Sequence, residues 1–105
     1  MAEHVSTRVN SARLADYKGQ TVRLTCKTIK GESAIVEASD GGQVSVKLHR
    51  DAHMTDTYVE VIGTVLDEST VKMMACINLG SDLDMQLVND VVELTFDPRF
   101  SKMFR

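Results

Sequence analysis

The chain has no tryptophan, one proline, two cysteines and five other aromatic side chains in 105 residues. Each shortage removes a class of protein. A single proline, Pro98, excludes proline-rich linkers and low-complexity arrays. The two cysteines, Cys26 and Cys76, lie within alternating apolar runs, which excludes a disulfide scaffold and predicts buried free thiols in a reducing compartment. Residues 1–10 contain no apolar core, and no run of about 18 apolar residues follows, so the expectation is an intracellular protein without membrane contact. A basic excess is also missing. The net charge of −3 excludes a domain that grips nucleic acid by bulk electrostatics alone.

Catalytic signatures are missing as well. There is no Gly-rich phosphate loop, no CxxC pair and no nucleophile elbow. His49 and His53 stand four apart, a spacing that suits metal ligation only on a helix, and their segment has no helical period and no third ligand. They read as solvent-exposed loop histidines. No catalytic residue, metal site or cofactor is therefore expected.

What is present is a strand pattern. One domain fits the length. Residues 1–9 are polar and aperiodic and read as a flexible arm; Asn10 is placed to cap a short helix over Ser11–Tyr17, closed by Gly19. From Thr21 the period becomes two. Val22, Leu24 and Cys26 alternate with Arg23, Thr25 and Lys27, and Ala34, Val36 and Ala38 form a second run. The turn Ser39-Asp40-Gly41-Gly42 marks a hairpin into Val44, Val46 and Leu48. A long strand over residues 58–66 carries Gly63 at its middle, as at a bulge or barrel corner, and a fifth over residues 70–78 alternates Val71, Met73, Ala75 and Ile77. Five short strands leave open edges unless the sheet closes. The predicted fold is therefore all-β, a five-stranded OB-fold barrel with a short N-terminal helix and a C-terminal α-helix used for assembly.

That last helix is the most informative segment. Ser81 reads as its cap, and Pro98 limits it by disfavouring helix at Asp97. On a wheel of about 100° per residue, Gln86, Asn89, Asp90, Glu93 and Asp97 share a stripe of about 100°. Apolar residues fill about 200°, roughly twice what a helix resting on its own domain requires. One reading makes the helix a broad lid that buries both flanks itself. The other gives one flank to the barrel and the other to partner helices, with Val88 and Val92 on the partner side. The candidate interface comprises Met85, Leu87, Val88, Val91, Val92, Leu94, Thr95 and Phe96.

The order of these elements, with Arg8-Val9-Asn10, Ser39-Asp40-Gly41, the strand from Val59 to Val65 and the run Leu87-Val88-Asn89-Asp90-Val91-Val92, resembles the small-subunit family of replication protein A, the replication factor A protein 3 family. The likeness runs from Arg8 to Phe100. That family often has an aromatic where Val88 stands. The resemblance implies a nuclear, non-enzymatic subunit of a heterotrimeric single-stranded DNA-binding complex in replication, repair and recombination. Its partners would be the middle and large subunits, joined through C-terminal helices, with DNA bound mainly by the whole complex. The chain then divides into an arm (1–9), a barrel (10–79), an oligomerisation helix (80–98) and a tail (99–105).

Direct DNA contact has thin support. Tyr17, Tyr58, Phe96, Phe100 and Phe104 all lie outside the first three strands and the fifth, so the usual base-stacking surface is empty. Arg23, Lys27 and Lys47 on the polar sides of strands one and three are the candidate phosphate contacts. Two alternatives stay open: a telomere-capping small barrel and an autonomous OB-fold module that binds single-stranded nucleic acid.

Overall fold

Alternation of small β-branched residues dominates the folded chain, because valine fits a pleated, half-buried surface and is stiff at χ1. In the computed structural model, which describes residues 7–29, 34–48, 54 and 56–99, six strands form one sheet. They are β1 (Thr7–Val9), β2 (Thr21–Thr28), β3 (Ile35–Ala38), β4 (Gln43–Lys47), β5 (Tyr58–Asp67) and β6 (Thr70–Gly80). A 3-10 helix spans Ser11–Tyr17, and α1 spans Met85–Thr95. The order is β1-β2-β3-β4-β6-β5, and β2 also pairs antiparallel with β5, which closes strands β2 to β6 into the predicted five-stranded barrel. His49 and His53 lie outside the described residues.

Among the described residues fourteen buried side chains fill the barrel and nine of them are valine, with no aromatic among them. The interior is therefore narrow. Cys26 is buried there, its thiol pushed up to about 12, chiefly by loss of hydration.

Four local expectations are corrected. Thr7–Val9 is not a loose arm: it adds to β2 as a parallel strand and buries Val9 in the core. Asn10 does not cap the 3-10 helix with its side chain. Asp40, in the β3–β4 turn, takes that role from a distance, accepting from the Ser11 and Ala12 amides and the Ser11 hydroxyl. Burial of Asp40 opposes its charge, but those donors and the Gly42 amide outweigh it and hold the carboxyl below its ordinary value. Likewise Asp84, not Ser81, caps α1, accepting from the Leu87 amide at 3.1 Å.

The fourth correction concerns β6. Ile62 pairs with Ala75 but Gly63 pairs with Met73, so Met74 is an extra residue in the ladder. This bulge sits opposite the mid-strand glycine that signalled it, and a Cβ on Gly63 would lie 2.2 Å from the Lys72 carbonyl oxygen. An inserted residue inverts the alternation beyond it. Val71 and Met73 point into the core, while Ala75 and Ile77, expected inside, are exposed.

Candidate functional site

The seam between α1 and the barrel sets a polar network beside buried Val92 and the Phe96 ring, and that network is built by residues some eighty positions apart. Asn10 Nδ2 donates to Asn89 Oδ1 at 2.8 Å and to Glu93 Oε2 at 2.7 Å. The Ser39 hydroxyl donates to the same Asn89 oxygen at 3.2 Å, and Arg13 Nε donates to Glu93 Oε2 at 3.2 Å. Arg13 thereby holds the Glu93 carboxyl below its ordinary value, helped by Asn10, while its own guanidinium is pushed up by the same bond. The Arg13 guanidinium also lies 4.2 Å from the centre of the Phe96 ring, over its face, and Phe96 meets Tyr17 edge-on at 6.1 Å.

Asn89 and Glu93 belong to the stripe that the pattern marks as solvent-facing, yet they face the barrel. Helix rotation follows from that. Val92, at 2% exposure, is buried on the chain's own domain, so the expectation that it faces partners is corrected: charge-assisted bonds to Arg13 and Asn10 turn inward a sector of about 100° that holds Val92 together with Asn89 and Glu93. Met85, Val88, Thr95 and Phe96 are half-buried. Thr95 returns its hydroxyl to the Val92 carbonyl at 2.7 Å.

Three of the eight predicted interface residues are left facing out. Leu87 is 59% exposed, Val91 46% and Leu94 41%. At positions i, i+4 and i+7 they form one stripe along α1. Such an apolar row on a helix edged by Asp90 and Gln86 is the form of a surface awaiting another helix.

The basic candidates do not assemble into one patch. Arg23 Nη1 is bound to Glu60 Oε1 at 2.9 Å, and Arg8 Nε approaches Glu60 Oε2 at 3.4 Å. Glu60 is only 6% exposed, so both arginines are engaged by a buried side chain. Lys27 and Lys47 are exposed, but the register sets Lys27 beside Glu37 and Lys47 beside Lys72, in different rows. An open cleft beside Lys27, Glu37, Met54 and Asp56 carries both signs of charge. Among the described residues no three His, Cys, Asp or Glu side chains are grouped to hold a metal, and no helix is long and apolar enough to cross a membrane.

Sequence reasoning missed Asn10, Arg13, Ser39, Asn89 and Glu93. Several lie in the motifs quoted above, but no local signal marks their pairing, because each polar partner is distant in the chain.

This architecture and its outward stripe can be set beside known proteins. The profile of the family described as Replication factor A protein 3 matches residues 1–104. The chain belongs to that family. It is 34% identical over 88 residues to a replication protein A 14 kDa subunit of Arabidopsis thaliana, a match covering 82% of each chain. A chain from the structure of U. maydis replication protein A bound to ssDNA superposes with a TM-score of 0.87 and 30% identity over 98% of both chains. A chain of the S. pombe Stn1-Ten1 complex matches with a TM-score of 0.67 but 10% identity, covering 90% of this chain and 95% of that one, a likeness of fold alone.

Proposed function

We propose that this member of the replication factor A protein 3 family is the small assembly subunit of a heterotrimeric replication protein A, serving DNA replication, repair and recombination in the nucleus. The observation that carries this is the apolar stripe Leu87, Val91 and Leu94, turned away from a helix seam already held by hydrogen bonds and by buried Val92. A helix serving only as a lid would turn its strongest apolar row inward. Its partners are the middle and large subunits, and the contribution of residues 80–98 is to join them. The barrel of residues 10–79 is a rigid base for that helix.

Single-stranded DNA is held mainly by the complex. Arg23 supports this, since Glu60 already occupies it, and so does the absence of aromatics from β2, β3, β4 and β6. The protein acts by binding and not by catalysis. The telomeric alternative has support only at the level of fold.

Co-expression with the two partner subunits tests the reading. Leu87→Asp with Val91→Asp is expected to abolish co-purification while far-UV circular dichroism keeps its native form, because the charges fall on an exposed stripe. Normal co-purification of a folded double variant overturns it.

A further inference from the structure

The distribution of charge along the chain says what kind of helix fits the stripe. Residues 82–97 contain five carboxylates and no lysine or arginine, so the rest of the chain carries a net charge of +2 and this segment accounts for all of the negative balance. Two of the five are matched internally, Glu93 by Arg13 and Asp97 by Arg99. Asp82, Asp84 and Asp90 are exposed and have no cation within salt-bridge distance among the described residues.

Their positions matter more than their number. Asp90 is three residues after Leu87 and four before Leu94, so it adjoins both on the helix surface. Asp84 is three residues before Leu87 and sits at the helix start. The apolar stripe is thus edged by unmatched negative charge, Asp90 along one side and Asp84 at the start of the Val88 and Thr95 side, and no positive charge stands on either shoulder.

A second copy of this chain is a poor occupant for such a stripe. Two-fold contact is self-complementary, and an axis through the middle of the stripe brings Asp90 toward its own copy. Like charges so placed are repelled. Resting on the assembly reading above, we propose that the Leu87-Val91-Leu94 stripe receives an amphipathic helix of a different chain, one that carries lysine or arginine beside its own apolar row. The acidic edge steers that helix in and rejects a second copy.

The test uses the full chain with its co-purified middle and large subunits. Asp82→Asn, Asp84→Asn and Asp90→Asn are combined, since asparagine at position 84 keeps a good helix cap. Stopped-flow association is followed from about 0.05 to 0.5 M salt, a range over which screening contracts from about 14 to 4 Å. The wild type is expected to slow steeply as salt rises; the neutral variant is expected to associate about 10-fold or more slowly at low salt and to respond weakly to salt. Sedimentation of the chain alone is expected to show a monomeric wild type and more self-association in the neutral variant. Equal rates and equal salt slopes for the two proteins overturn the proposal, as does a wild-type homodimer. Failure of assembly in the Leu87→Asp, Val91→Asp protein, seen alongside equal rates, leaves the docking surface standing and removes only the basic partner.

Discussion

Replacing Leu87, Val91 and Leu94 together with alanine separates what holds this domain together from what it offers to others. The three exposures sum to the equivalent of about one and a half bare side chains, and burying a Leu or Val side chain completely contributes about 1.5–3 kcal/mol. A partner covering the stripe therefore gains about 2–4 kcal/mol from it. Converted to affinity, that is about 30- to 900-fold, with the lower end expected because alanine keeps Cβ. Folding should be nearly indifferent: exposed positions change stability by about 0.5 kcal/mol or less, and alanine is the best helix former. Val92→Ala is the opposite case, a buried truncation expected to cost about 1–3 kcal/mol in the isolated chain. Urea denaturation and quantitative assembly with the partner subunits are measured for both. The reasoning is refuted if the triple variant lowers the unfolding midpoint as much as Val92→Ala does, or if it assembles with wild-type affinity.

Gly63→Ala should destabilise the barrel by about 1–3 kcal/mol or more, read from the denaturation midpoint at constant slope, because the added methyl meets the Lys72 carbonyl. The isolated chain should bind single-stranded DNA weakly, and Arg23→Ala should lower stability far more than it changes that binding; a submicromolar Kd in about 0.1 M salt contradicts this. For Glu93 the folded carboxyl titrates below its unfolded value, so its bond to Arg13 stabilises above about pH 4.3 and is lost as pH falls through the depressed folded value. Glu93→Gln should thus lower Tm near pH 7, flatten the acid limb of a plot of Tm against pH and converge on the wild type at low pH, where Glu93 is itself protonated; an unchanged acid limb argues against the seam.

The strands were legible because their cause is local. Val22, Leu24 and Cys26 alternate with polar neighbours, and only one face can enter a core. The turn at Asp40-Gly41 was legible for the same reason, Gly41 adopting φ +88°. Less of the helix could be read. Its excess of apolar surface is a property of the segment itself, whereas the direction that excess faces depends on Asn10 and Arg13, which no helical wheel contains. The phase of β6 failed similarly: one extra residue at Met74 turns Ile77 outward, and Gly63 signals a bulge without saying on which strand it lies. Thr7–Val9 was read as an arm because three residues are too few to show a period.

Asp40 lies on the β3–β4 turn, apart from the outward stripe, yet it grips the start of the segment whose Asn10 and Arg13 fix the rotation of α1. Neighbouring Ser39 grips Asn89 directly. A survey that scores every residue by its effect on assembly will rank these two beside Leu87, although neither is a point of contact. They behave as the mount of an instrument rather than its lens, and loosening the mount blurs the aim of a surface that has itself not changed. A second-site reversion made on α1, restoring assembly to an Asp40 variant without touching a partner, is the genetic signature that tells alignment from contact.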